Sequence, residues 1–240
     1  MQLGSGTKDK PVELLVWGDS HAMAAMTVLD VLCKEHAIHG VAAVHSSQVP
    51  FIGYESRSEG SMMEESVAFN DAVAAYIRRK HVGDVILIGS WQGCIDFDHG
   101  TEKLRRALLA TIAALKESGT RVWVMKDVPH QNFNVPNALA SAGFFGRDPE
   151  SLGLPATQER DALRAMAPLF DGIDDPDVTF LDPADLFFSP QGFYRVAAGG
   201  YALYRDNHHL STHGAMLLRP LFEPIFEKIG QKHLSTTMPN

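Results

Sequence analysis

Apolar, β-branched-rich runs occupy residues 12–17, 40–45, 84–90, 120–126 and 177–181. Helical patterns fill the intervals at 22–36, 62–80, 102–118 and 157–170, with a last one over 214–229. Short runs that are apolar on both faces are strands covered on both sides, and strands that alternate with helices pair in parallel. The pattern therefore predicts a doubly wound three-layer α/β/α sandwich around a mainly parallel sheet of about five strands. One domain is expected over residues 11–232. The opening Met1-Gln2-Leu3-Gly4-Ser5-Gly6 has small residues and no periodicity, so residues 1–10 read as a linker or expression scar, and residues 233–240 as a C-terminal tail.

In such sheets ligands bind beyond the carboxyl ends of the strands, near the switch in strand order. Ser20 is at such an end, where Leu14-Leu15-Val16-Trp17-Gly18-Asp19 gives way to a helix. Free backbone N–H groups and the helix dipole favour negative charge there, although Asp19-Ser20 by itself also describes an ordinary helix cap. Loops 46–53, 90–96 and 127–137 follow the second, third and fourth strands and share this rim. The segment 131–155, with Asn132, Asn134, Asn137 and three prolines, is too long and broken for a plain connection. It is either a substrate-facing lid or an insertion without order.

The second informative stretch is Tyr204-Arg205-Asp206-Asn207-His208-His209-Leu210-Ser211, just before the last helix. In a turn that opens a helix, the Asp206-x-x-His209 spacing can set a carboxylate beside one imidazole nitrogen while the other faces a hydroxyl. A serine, a histidine and an aspartate acting together perform acyl transfer. Taken alone, the spacing is equally that of a solvated turn.

Composition narrows the alternatives. The 240 residues are 45% hydrophobic and 21% charged, with a formal net charge of -8, and the basic cluster Arg78-Arg79-Lys80 is only a short helix-end group. A polyanion-binding surface, and with it a nucleic-acid partner, is not expected. No run of 18 apolar residues is present to span a membrane. Cys33 and Cys94 lie far apart without Cys-x-x-Cys spacing, and His99, His130, His213 and His233 have no metal-ligand spacing with acidic neighbours. Asp182 and Asp185 read as turn or cap residues, and Gly199-Gly200 as a flexible turn without a phosphate-binding glycine pattern. Neither a metal nor a nucleotide cofactor is expected.

Gly18-Asp19-Ser20-His21 after the first strand, together with Asp206-x-x-His209-Leu210-Ser211 before the last helix, resembles the SGNH (GDSL-like) hydrolase superfamily. More narrowly, the chain is similar to the SGNH domain fused behind the membrane part of acyltransferase-3 proteins, which O-acylate bacterial surface glycans. Val67-Ala68-Phe69-Asn70, the stretch from Val85 to Trp91, Val128-Pro129 and Leu181-Asp182-Pro183-Ala184 fall in the matching order, so the resemblance covers nearly the whole chain. It implies Ser20 as nucleophile, His209 as base and Asp206 as the carboxylate that orients it. His208 is the rival base and otherwise lines the rim, and His21 is a substrate-contact candidate.

For the oxyanion the resemblance implies the Ser20 N–H and a glycine N–H from the second loop, where Pro50-Phe51-Ile52-Gly53 makes Gly53 the match. The usual asparagine of a Gly-x-Asn-Asp block is replaced by Gly89-Ser90-Trp91-Gln92, leaving the Trp91 or Gln92 side chain or a loop N–H as a substitute donor, or a low rate. Cysteines common in the fused domains are also missing, since the corresponding places read Ser47-Gln48-Val49-Pro50 and Phe187-Phe188-Ser189. The implied activity is transfer or hydrolysis of a small acyl group such as acetyl on a cell-surface carbohydrate hydroxyl, through an acyl-Ser20 intermediate and without a cofactor. The implied partners are an acyl donor, a carbohydrate acceptor and a membrane acyltransferase domain of the same parent chain, at the periplasmic or extracytoplasmic face of a bacterial inner membrane. The missing asparagine motivates the alternative, a catalytically weak glycan-binding or docking module.

Overall fold

A computed structural model describes residues 1–4 and 10–236, with side chains described for all of these but 159–163 and 232–236. Half of the stretch expected as a linker (5–9), the end of the expected tail (237–240) and the His233 side chain lie outside the described residues.

The central sheet runs β1 (Gln2–Leu3), β3 (Gly40–Val44), β2 (Leu14–Gly18), β4 (Asp84–Ile88), β5 (Arg121–Met125) and a last strand, Val178–Leu181. All neighbours pair in parallel except β1, which pairs antiparallel with β3. The five apolar runs thus give the five parallel strands, and the sixth comes from the opening residues. Leu3 is fully buried there, and the Met1 amino group donates to the Ala42 carbonyl at 2.8 Å. An edge strand of two residues gives no periodicity to read, and here it closes the open edge of β3.

Every residue of β2 is buried. Leu14 and Val16 face one core with α1 (Ser20–Glu35) and the final helix, Arg219–Thr236, through Leu29, Leu32, Phe222 and Phe226. Leu15 and Trp17 face the other core with α2 (Ser66–Lys80), α4 (Glu102–Glu117) and α6 (Ala156–Phe170). The period of two along the strand is what divides these residues between the two helical layers. Because the chain passes from β2 to β3 on one side and then to β4 on the other, strand order reverses at β2. The crevice at its carboxyl end is the expected ligand site, and α1 begins there.

Two segments differ from the sequence reading. Residues 90–96, expected as a loop, largely form α3 (Trp91–Asp98), and the 131–155 segment contains α5 (Val135–Phe144) and a short strand, Gly153–Pro155, paired with Phe193–Arg195. It is therefore neither a bare lid nor a structureless insertion. The signal for α5 is Asn134-Val135-Pro136, in which the Asn134 side chain caps the Asn137 N–H at 3.1 Å and proline stands in the first turn.

Candidate active site

Ser20 is delivered by a junction that only a few residue types can make. A Cβ on Gly18 would lie 1.8 Å from the Ile88 carbonyl oxygen, so the close approach of β2 to β4 just before the turn requires glycine. Asp19 follows in extended conformation and caps α1. Its Oδ1 accepts the His21 N–H at 2.8 Å, and its Oδ2 accepts the Ser90 N–H at 2.7 Å, tying the start of α1 to the end of β4. Burial pushes the Asp19 carboxyl up to about 6, against the lowering effect of the N–H groups of Ser90, His21, Ala22 and Asp19. The Met23 N–H donates to the Asp19 carbonyl, so within the first turn of α1 the Ser20 N–H is the donor left over from these caps.

The turn before the last helices supplies the opposing groups. Asp206 Oδ1 accepts the N–H groups of His208 and His209 at 2.9 and 2.8 Å, and its Oδ2 meets His209 Nδ1 at 2.7 Å. His209 Nε2 is 2.7 Å from Ser20 Oγ. A carboxylate on Nδ1 fixes the proton there and leaves Nε2 to accept from the serine hydroxyl. Partial burial opposes ionisation of Asp206, but the two N–H groups and the His209 ring outweigh it and hold the carboxyl at about 2. The turn is itself anchored, since the N–H groups of Gln131 and Val135 donate to the carbonyls of Asn207 and Asp206 at 2.7 and 3.2 Å. Residues 131–135 thus support the site from behind.

Of the remaining histidines, His208 has its Nδ1 2.8 Å from Asn207 Oδ1, and among the described residues the ring bonded to Ser20 Oγ is that of His209. His21 is 4% exposed, with its ring 5.0 Å from that of His209, 5.3 Å from His208 and 5.7 Å from His130. Burial, with the neighbouring histidines adding to it, holds His21 well below the usual imidazole range and His130 at about 4. These rings are therefore neutral at neutral pH.

Ser20, His208 and His209 open onto a cleft of about 230 Å³, lined also by Ser46, Ser47, Tyr54, Ser90, Gly93 and Phe97. The second loop is held in place by Asn70, which was legible only as part of a family stretch. Its Nδ2 donates to the carbonyls of Val49 and Phe51 at 3.0 and 2.8 Å, while its Oδ1 accepts from Trp17 Nε1 at 3.1 Å. Gly53 is solvent-exposed with φ +66°, and Ser46 and Ser47 line the cleft from that loop in its stead. Cys94 also lines the cleft, but burial pushes its thiol up, away from nucleophilic thiolate character.

The Trp91 side chain does not serve as the expected donor. It is fully buried, stacked on Phe51 at 5.3 Å, and its indole N–H donates to the Met125 carbonyl at 2.7 Å. The Gln92 amide is likewise engaged, donating to Asp96 at 2.7 Å. Asp127 takes the N–H groups of Trp91 and Gln92 at 2.9 and 2.8 Å, and the Cys94 N–H reaches the Ser90 carbonyl. Gly93, Cys94 and Phe97 of α3 line the cleft together with Ser90, the residue before the helix. Asp127 stands 36 residues from Trp91, and its only local signal in the sequence is its place just after a strand.

With this geometry in place, comparison with known proteins is specific. The family model of the SGNH domain (fused to AT3 domains) matches residues 2–224. The periplasmic domain of a lipopolysaccharide acetyltransferase from Salmonella ser. Paratyphi A superposes with a TM-score of 0.71 at 16% identity, covering 91% of this chain and 85% of that one. A GDSL-like lipase from Bacteroides thetaiotaomicron VPI-5482 gives a TM-score of 0.52 at 9% identity, covering 91% and 89%. TesA gives 0.51 at 12%, covering 90% and 98%. At these identities the structures share the fold. No relative was found among curated protein sequences.

Proposed function

We propose, from the premise that this chain belongs to the family of SGNH domains fused to AT3 domains, that it transfers a small acyl group such as acetyl to a carbohydrate hydroxyl through an acyl-Ser20 intermediate. The observation that carries this reading is the continuous line from Asp206 Oδ2 to His209 Nδ1 and from His209 Nε2 to Ser20 Oγ, both contacts at 2.7 Å. In the first half-reaction Ser20 Oγ loses its proton to His209 Nε2 and attacks the acyl carbonyl. The oxyanion forms against the Ser20 N–H, and collapse returns the proton to the leaving group. In the second, a sugar hydroxyl gives its proton to His209 and attacks the acyl-serine, regenerating the free enzyme. Asp206 stays ionised throughout and compensates the imidazolium, which would otherwise form among neutral histidines.

Acetyl and a surface glycan are favoured because the lipopolysaccharide acetyltransferase domain shares this fold at the highest TM-score among the structures named above. The AT3 fusion in the family supports an extracytoplasmic location, with a membrane acyltransferase domain as source of the acyl group. Mass spectrometry after incubation with an aryl acetate ester tests the intermediate. An added acetyl mass on the Ser20 peptide, lost when an acceptor glycan is supplied and absent in Ser20→Ala, is the expected result. An active protein whose Ser20→Ala variant retains turnover would eliminate the reading.

A further inference from the structure

We propose that His21, His208 and His209 form a binding site for a borderline transition-metal cation of the zinc class, and that occupancy shuts off the Ser20 centre. The nitrogens that these residues can offer lie within 4.8 Å of one another. Two of the three rings are oriented by a partner on the other nitrogen. His209 Nδ1 is held by Asp206 at 2.7 Å and His208 Nδ1 by Asn207 Oδ1 at 2.8 Å, and since both partners accept, each ring carries its proton on Nδ1 and its lone pair on Nε2. A carboxylate or carbonyl on the distal nitrogen is the arrangement that fixes tautomer and ring direction in metal-bound histidine. The third ring, His21, is buried, and its Nε2 has no hydrogen-bond partner among the described residues. A polar nitrogen left in that state beside two oriented imidazoles has a ligand's surroundings without any protein group to satisfy it.

Three neutral imidazoles with an open fourth position suit zinc, whose nitrogen ligands stand about 2.0–2.1 Å from the metal and therefore about 3.4 Å from one another. Binding therefore requires the rings to close in from a separation of up to 4.8 Å. The lone pair of His209 that the metal takes is the one that accepts from Ser20 Oγ, so the Ser20 hydroxyl must turn away. Binding itself does not depend on the acyl-transfer reading, whereas inhibition does.

Calorimetric titration of the full chain with zinc chloride near neutral pH tests the site. One equivalent is expected to bind the wild type, with His208→Ala and His21→Ala each weakening binding by about tenfold or more, and Asn207→Ala by about tenfold through loss of the oriented ring. Ser20→Ala, which deletes the competing hydroxyl and all turnover, is expected to bind as tightly or more tightly. The same zinc concentrations should suppress esterase activity of the wild type, with recovery on adding a chelator. His208 is part-exposed, so its variant keeps the test decisive should the buried His21→Ala fail to fold. Absence of binding, or binding unchanged in His208→Ala, overturns the proposal. Tight binding to a protein without esterase activity would sink the acyl-transfer reading and leave the metal site standing.

Discussion

Replacing Asp206 with asparagine separates the two tasks of this carboxylate. The amide oxygen can still accept the N–H groups of His208 and His209, which now bind Oδ1, so the turn keeps its shape. The amide nitrogen falls where Oδ2 meets His209 Nδ1. Being a donor, it requires Nδ1 to accept, moves the ring proton to Nε2, and leaves Ser20 Oγ facing an N–H in place of a lone pair. The imidazolium of the transition state also loses its counter-ion while His21 and His208 stay within 5.0 and 4.0 Å ring to ring. A wrong tautomer in a Ser-His-Asp arrangement lowers kcat by about 10⁴-fold, equivalent to about 5.5 kcal/mol of barrier. Steady-state hydrolysis of an aryl acetate measures the loss, and a thermal melt reports the fold. The Asp206 carboxyl lies at about 2 in the folded protein against 3.8 for an ordinary aspartate. Its contribution to stability is therefore present above about pH 4 and lost as the pH falls towards 2. Any melting difference between the two proteins should shrink over that range. A folded Asp206→Asn protein with less than a tenfold fall in kcat would refute the assigned tautomer and with it the role of His209.

Gly18→Ala places a methyl group 1.8 Å from the Ile88 carbonyl oxygen, and the forced separation of β2 from β4 should cost about 3 kcal/mol or more, read as a lowered denaturant midpoint. For Asp19 the sign runs the other way from Asp206. Its folded value, about 6, lies above the ordinary 3.8, so the group's contribution is fully present at low pH and is lost as pH rises from about 4 through about 6. Asp19→Asn should flatten the stability profile over that interval, and an unchanged profile would remove Asp19 as its source. Trp91→Phe leaves the Met125 carbonyl without its indole donor and should lower stability by about 1–3 kcal/mol with kcat changed less than about threefold, because the indole does not reach the oxyanion. Ser90→Ala should instead lower kcat by about 10²-fold while the melt stays put, and an unaltered kcat would exclude the Ser90 hydroxyl as an oxyanion donor.

The parallel strands and the order of their helices were legible because each obeys a local rule. Leu14-Leu15-Val16-Trp17 is apolar at every position because helices cover both faces, and its junction with α1 is marked by glycine and a capping aspartate. Ser20, Asp206 and His209 were legible as two short motifs, although their contact spans 189 residues of sequence and only the family resemblance joined them. What escaped depends on contacts that no local rule announces. Gln2–Leu3 becomes a strand only because β3 offers an edge. Residues 91–98 become α3 only because the Asp127 carboxylate, from the end of β5, receives the N–H groups of Trp91 and Gln92.

The oxyanion donors were the least legible part for a related reason. The sequence offers a side chain, Trp91 or Gln92, or a loop N–H in place of the missing asparagine, and cannot choose among them. In the folded chain, however, the indole is spent on the core, where it stacks on Phe51 and bonds to Met125. In the proposed reaction the electrostatic work would fall to groups that a list of residue types does not distinguish. Two helices, α1 and α3, begin side by side at the cleft, and each is capped by an aspartate that takes two of its first N–H groups: Asp19 those of His21 and Ala22, Asp127 those of Trp91 and Gln92. Ser20 of α1 and Gly93 and Cys94 of α3, in the first turns of the two helices, line the cleft. Uncompensated N–H groups at helix starts are a preorganised source of positive potential that requires no reorientation as charge develops. In the proposed reaction the two buried aspartates would set which backbone groups face the reacting carbonyl, and the Ser90 hydroxyl and backbone donors at the start of α3 would take the place of the asparagine.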